Sequence, residues 1–181
     1  FSKIGKTNSG LVKTMRKEII ESILATDVTE YKKLKEKTQL FYELNHWELE
    51  KGAMTDSVQD LLRKESQTFQ NMYLQVADTS QPLKPWDLCH RYANLAMEEG
   101  FAQGDAERSR GMSVQPLNNR KRVCKASYQL GWIDLVVLPM TEVMIKIFPP
   151  LENIAEYLDG NFENWVDRLK QETRLTKDEA A

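Results

Sequence analysis

The chain has 181 residues, 41% of them hydrophobic and 29% charged, which is enough apolar material for one globular domain and too polar for a fibrous or membrane-spanning protein. Lysine and arginine number 25 against 27 aspartates and glutamates, so a net charge of -2 supplies no basic surface for a nucleic acid polymer or an anionic membrane. The longest apolar run, Ile133 to Met140 with Asp134 inside it, falls far short of the roughly 18 to 20 residues of a transmembrane span.

Leu11, Met15, Ile19 and Ile23 recur at helical spacing, with Lys13, Arg16, Lys17 and Glu21 between them, and predict an amphipathic helix over 9–25. The join Ala25-Thr26-Asp27-Val28 leads to a second helix over 29–44, superficial because lysines and glutamates crowd it. Residues 45–55 lose the periodicity and contain Gly52, which predicts an exposed loop. Thr55 or Asp56 is placed to cap a third helix that ends at Ala77-Asp78, with Val58, Leu61, Leu62, Phe69, Met72, Tyr73 and Val76 turned inward.

Pro82 and Pro85 punctuate the next turn, and Pro85 suits the first residue of a long helix carrying Trp86, Cys89, Tyr92, Ala96 and Met97. Gly104 or Gly111 marks the weakening or end of that helix. Residues 111–120 are polar and irregular around Pro116. An apolar helix follows over 121–148, with a kink expected at Pro139. Two short helices, 151–158 and 161–172, close the chain, and 174–181 are expected to fray. Alternating β-branched runs and internal repeats are absent from the sequence, so the fold class is all-α.

Cys89 and Cys124 stand alone without CxxC spacing, which suggests neither a disulfide framework nor a thiolate zinc site and fits a reducing, cytoplasmic setting. The sequence opens at Phe1 without a signal-peptide or lipidation pattern and reads as a cut chain.

Asp78, Gln129 and the two histidines draw attention on chemical grounds. Asp78 ends an apolar helix, where a carboxylate is either a turn residue helped by Thr79 and Ser80 or a group that meets a cation. Gln129 lies in the apolar helix with Trp132 about one turn on. Its amide suits the edge of a purine and the indole suits its face, although a solvent-facing glutamine beside a core tryptophan fits the same spacing. The two histidines, His46 in the expected loop and His90 between Cys89 and Arg91, read as surface residues. They form no HExxH, HxH or triad pattern, and there is no glycine-rich phosphate loop.

Four segments carry a resemblance. Val76-Ala77-Asp78-Thr79-Ser80-Gln81-Pro82-Leu83-Lys84-Pro85-Trp86 resembles the late metal-ligand motif of class I 3',5'-cyclic-nucleotide phosphodiesterases, in which a helix ends in Ala-Asp or Cys-Asp before a Lys-Pro turn. Glu98-Glu99-Gly100-Phe101-Ala102-Gln103-Gly104-Asp105-Ala106-Glu107-Arg108 is similar to that family's Glu-Phe-Phe-x-Gln-Gly-Asp stretch. Gln129-Leu130-Gly131-Trp132-Ile133-Asp134 resembles its Gln-x-Gly-Phe-Ile-Asp, and Ile23-Leu24-Ala25-Thr26-Asp27 its Leu-Ala-Thr-Asp.

The resemblance implies a compact multi-helix bundle, incomplete at its N-terminal side, in which residues 1–173 form the C-terminal part of a catalytic domain. Asp78 would ligate the tighter of two divalent metals, zinc beside magnesium. Gln129 would bond the purine and Trp132 stack on it, while Val28, Ala96 and Leu117 line the pocket and Gln81 sits near its purine end. The implied reaction is hydrolysis of cyclic AMP or cyclic GMP to a 5'-nucleotide by a metal-bridging hydroxide, with a histidine protonating the 3' oxygen. That histidine and the other metal ligands belong upstream in the family, so no catalytic residue is expected within this chain. A cyclic nucleotide is the implied partner, with a homodimer or larger assembly, in the cytosol or tethered to a membrane or cilium. The absent histidines, with Trp132 in place of Phe and Gly100 in place of an aromatic, motivate the alternative of a catalytically inactive scaffold; Thr79 also stands in place of a common Leu.

Overall fold

The structure, a computed structural model, describes residues 9–50 and 55–178, with side chains described for 10–50 and 55–173. Eight α-helices appear among the described residues: α1 (Ser9–Leu24), α2 (Val28–Leu49), α3 (Asp56–Lys64), α4 (Ser66–Asp78), α5 (Trp86–Ser109), α6 (Lys125–Trp132), α7 (Leu138–Ile147) and α8 (Asn153–Asp178). There is no strand among the described residues, so the fold is all-α. None of these helices is long and apolar enough to cross a membrane. The chain divides into two compact units, Phe1–Asp78 with Glu142–Pro149, and Thr79–Thr141 with Pro150–Ala181.

In the first unit α1 and α2 meet at Asp27. Its carboxylate accepts from the Thr29 N–H and hydroxyl, both at 2.8 Å, and these bonds hold it below the usual carboxylate range. The expected loop over 45–55 is instead helical to Leu49, which is buried; residues 51–54 lie outside the described ones. The inward stripe of α2 is Leu34, Thr38, Phe41 and Leu49. Thr38 is fully buried because its hydroxyl returns to the carbonyls of Leu34 and Lys35 at 3.0 and 2.9 Å, and Asn45 donates to Phe41 O at 2.8 Å. Polar groups satisfied by their own helix hide a buried stripe from a hydropathy reading.

The third predicted helix is two, with Thr55 as the N-cap accepting from Val58 N. Its interruption is Glu65, whose carboxylate takes Lys37 Nζ at 2.9 Å and the Thr68 hydroxyl at 2.8 Å and is held below its ordinary value by them. Val58, Phe69, Met72 and Val76 are buried as expected, whereas Tyr73 is 41% exposed, with its ring against Phe148. Phe69 sits edge-on to both Phe41 and Phe148 at 4.9 and 5.6 Å, which places the aromatic centre of this unit between α2, α4 and the 142–149 segment. Gln67 on α4 joins α1 by donating to Glu18 O, to the Ser22 hydroxyl and, on its own helix, to Asn71 Oδ1.

Tyr31 on α2 is half-buried, and burial disfavours its phenolate, pushing its pKa up to about 12. An acid whose folded pKa is raised contributes stability that is complete below pH 10 and lost as pH rises toward 12. Titration at 295 nm is therefore expected to show one tyrosine ionising near pH 12, and a Tyr31→Phe variant to lack that step. Ionisation of every tyrosine near 10 in the folded protein would contradict this.

In the second unit Pro85 is the N-cap of α5 and Trp86 its first residue. The buried stripe is Cys89, Ala93, Met97, Phe101 and Gly104; Tyr92 and Ala96 are exposed. Gly111, at φ 70°, follows the α5 C-cap Arg110 in the left-handed conformation that glycine adopts without strain. The helix expected over 121–148 begins at Lys125, capped by Cys124, and widens into a π-helical segment over Ile133–Val137 before α7. There Leu138 N reaches Ile133 O, five residues back. Pro139 has no N–H to give Leu135 O and its ring crowds that carbonyl, so the chain absorbs it by widening the preceding turn.

The two expected terminal helices are one. Gly160 does not break α8, because Leu158, Asn161 and Trp165 form a single buried stripe across it, and the backbone remains helical to Asp178. Of the expected tail, 179–181 lie outside the described residues.

Candidate functional site

Asp78 is the last residue of α4 and is exposed. Val28, the first residue of α2, is 65% exposed and belongs to the same unit. Gln129, Trp132, Ala96 and Leu117 all belong to the other.

Gln129 is not the solvent-facing helix residue its local sequence permits. It is 2% exposed, and its Oε1 accepts a hydrogen bond of 3.1 Å from Gln81 Nε2. The same Gln81 nitrogen lies 3.8 Å from the buried Cys89 sulfur. Burial pushes the Cys89 thiol up, opposed by the N–H groups of Gln81 and Trp165 that face it. The nitrogen half of the Gln129 amide has no partner among the described residues.

Trp132, one turn on, is half-buried and packs against the core of Ala93, Met97, Phe101, Ala126, Ile133, Val137, Leu158 and Trp165, so part of the indole is spent on packing. Ala96 is exposed on α5.

Leu117 is 60% exposed in a 3-10 turn, Pro116–Asn118, that is tied to α5 at several points. Arg120 reaches Asp105 at 2.7 Å and Glu98 at 3.1 Å, Lys125 reaches Glu98 at 2.7 Å, and Arg108 donates to Asn119 Oδ1 at 3.1 Å. The Lys125 ammonium, then Arg120, holds the Glu98 carboxyl below its usual range. Both cations also lie over the Phe101 ring, at 5.4 and 5.9 Å from its centroid. A Cβ at Gly100 would stand 3.0 Å from Asn118 Oδ1, the end of a flexible side chain.

His90 is not a plain surface residue. Its ring lies between Trp86 and Trp165, at 5.1 and 5.5 Å between centroids, and Nε2 is 3.1 Å from Asn94 Nδ2. Burial, then Arg168 and Lys125, lowers its pKa. His46 lies on α2, half-buried, with Nδ1 2.9 Å from Glu43 O.

Among the described residues no group of three or more histidine, cysteine, aspartate or glutamate side chains is placed to hold a metal ion. A dinuclear metal centre therefore does not fit this set of residues by itself, and Asp78 can be at most one of its ligands. The resemblance puts Gln81 near the purine end of the pocket, whereas its bond to Gln129 and the nearby Cys89 emerge only from the packing.

The sequence profile of the 3'5'-cyclic nucleotide phosphodiesterase family matches residues 2–158. A protein of Caenorhabditis elegans named as a probable 3',5'-cyclic-AMP phosphodiesterase is 30% identical over 158 residues, 87% of this chain and 23% of its own length. A Drosophila melanogaster 3',5'-cyclic-AMP phosphodiesterase isoform is 31% identical over 149 residues, 82% of this chain and 22% of its own. The chain thus spans less than a quarter of these relatives. Among solved structures, the phosphodiesterase domain of a rhodopsin–phosphodiesterase fusion protein from the choanoflagellate Salpingoeca rosetta superposes with a TM-score of 0.77 at 21% identity, over 90% of this chain and 49% of that one. LmjPDEB1 in complex with IBMX gives 0.75 at 22% identity, over 91% and 46%. The eight helices thus form part of the phosphodiesterase fold, and the chain belongs to the 3'5'-cyclic nucleotide phosphodiesterase family.

Proposed function

We propose that the protein to which this chain belongs hydrolyses 3',5'-cyclic nucleotides to 5'-nucleotides, and that this chain supplies the purine-binding side of the pocket. The buried Gln129 amide carries this reading: it is fixed on one side by Gln81 and unpaired on its nitrogen. The side chain is buried while its N–H donor is left to a ligand, and a purine edge offers the matching acceptor. Trp132 covers the face of the base, with Ala96 and Leu117 as flanking contacts. Asp78 contributes one carboxylate to a divalent site, zinc beside magnesium, whose other ligands and catalytic histidine come from outside this chain. A cytoplasmic setting, a homodimer and tethering to a membrane or cilium stand as parts of the same proposal, and the two cysteines, free of any disulfide, fit the first of them.

A second reading, an inactive scaffold that keeps the phosphodiesterase fold, is motivated by Trp132 and Gly100, which stand where the family carries a phenylalanine and an aromatic. Assays of cyclic AMP and cyclic GMP hydrolysis by the full-length protein with magnesium separate the two. Turnover is expected, and Gln129→Ala is expected to raise KM by about 10-fold or more, in line with the 1 to 3 kcal/mol of one good purine contact. A folded, metal-loaded protein without turnover would establish the scaffold.

A further inference from the structure

Two leucines and a tryptophan stand outward on α2. Leu40, Leu44 and Trp47 are 54%, 72% and 74% exposed. Their spacing of four and then three residues sets them in one row, turned away from the inward stripe of Leu34, Thr38, Phe41 and Leu49. Single apolar residues on a surface are ordinary, whereas a continuous row of this kind on one helix is the pattern of a docking face.

The two halves of α2 also differ in charge. Residues 30–37 hold Lys32, Lys33, Lys35 and Lys37 against Glu30 and Glu36, while 43–50 hold Glu43, Glu48 and Glu50 and no lysine or arginine. Lys32 and Lys33 reach Glu36 and Glu30 at 3.8 and 2.8 Å, with side chains 84% and 73% exposed, so water and salt keep both pairs weak and free to exchange. In the acidic half Glu43 accepts from Gln39 and Glu50 from the Tyr42 hydroxyl, each at 2.9 Å.

We infer that this face of α2 docks a second copy of the chain, with the two helices antiparallel. A parallel pair would set lysines on lysines and glutamates on glutamates. An antiparallel pair, with its two-fold axis passing between Leu40 and Leu44, sets Leu40 against Leu44 of the second copy and Trp47 beside the stem of its Lys37. The lysine-rich half of each helix then runs along the acidic half of the other, and the symmetry makes every such contact twice. This gives the homodimer named above a surface and does not depend on what the protein hydrolyses. One helix face is smaller than the about 800 Å² a side of a standard interface, so the association is expected to be weak and concentration-dependent.

The test is sedimentation equilibrium of the full-length protein over a range of concentrations. The wild type is expected to form a dimer. Leu44→Glu, at a position exposed enough to leave thermal unfolding unchanged, is expected to raise the dissociation constant by about 10-fold or more. Lys32→Glu with Lys33→Glu leaves both halves of the helix net acidic, and Glu43→Lys with Glu50→Lys leaves both net basic. Each double variant alone is expected to associate more weakly than the wild type, and an equimolar mixture of the two to recover a dimer made of one copy of each. A wild type that stays monomeric at every concentration would overturn the docking face and the homodimer together. A Leu44→Glu protein that dimerises as the wild type does would overturn this face alone and put the homodimer on another surface. Double variants whose mixture stays monomeric would overturn the antiparallel pairing.

Discussion

Asp78→Ala in the full-length protein is expected to lower kcat/KM for a cyclic nucleotide at least 100-fold without loss of fold. The two halves of that expectation come from different physics. Structurally, Asp78 is exposed, makes no ion pair among the described residues, and occupies the last position of α4. A carboxylate at a helix C-terminus faces the negative end of the helix dipole, which costs about 0.3 to 1 kcal/mol. Alanine also propagates a helix better than aspartate does. The variant should therefore unfold at the same temperature as the wild type or slightly above it. Functionally, groups that merely support a metal ligand already cost 10- to 100-fold when removed, so loss of a ligand belongs at or beyond the top of that range. Thermal unfolding, metal content and turnover measured on the same preparation decide the matter. Full activity and full metal content in Asp78→Ala would remove Asp78 from the site and return it to the role of a turn residue.

What the sequence made legible, and what it hid, divides along a physical line. Caps and turn residues are local, so several helix ends were readable: Thr55 caps α3, α2 follows the join that ends in Asp27-Val28, and the Pro82-Leu83-Lys84-Pro85 turn lies where its prolines put it. Helix lengths were less so, since they depend on which polar residues turn inward. Thr38 and Asn45 satisfy themselves on their own helix and carry α2 past its expected end. Asn161, beside the one glycine that seemed to break α8, is buried because it serves carbonyls 77 and 79 positions earlier in the chain. Pro139 was expected to kink a helix and instead is accommodated by a π segment, an outcome that depends on backbone freedom upstream of it.

The candidate site follows the same rule. Gln129 and Trp132 could be singled out from spacing and resemblance, yet local sequence left Gln129 open between solvent and pocket. Only the bond from Gln81, 48 positions away, shows that its amide is buried and oriented.

Two glycines on long helices make the last contrast, because the same substitution is expected to act in opposite directions. In an open helix interior, glycine to alanine gains about 1 kcal/mol by restricting the unfolded chain and improving propensity. Gly160 meets that condition: a Cβ there would have nothing within 4 Å, and Gly160→Ala in α8 is expected to stabilise by about that amount. Gly104 does not. A Cβ on Gly104 would collide with the backbone carbonyl oxygen of Asn118 and crowd its Cβ, and a backbone atom cannot step aside as a flexible side chain can. The loop carrying Leu117 would have to lift from α5, which strains the Arg120 and Arg108 bonds that tie it down. Overpacking of this kind costs about 1 to 3 kcal/mol. It outweighs the helical gain for alanine, and with valine, which adds two further methyl groups and poorer propensity, the whole unit is expected to unfold or release the loop. Chemical denaturation of the three variants gives the ordering Gly160→Ala, wild type, Gly104→Ala, Gly104→Val from most to least stable. A Gly104→Ala protein as stable as Gly160→Ala would mean that the 116–118 turn does not rest on α5, and with it would go the placement of Leu117 beside the helix that carries Ala96.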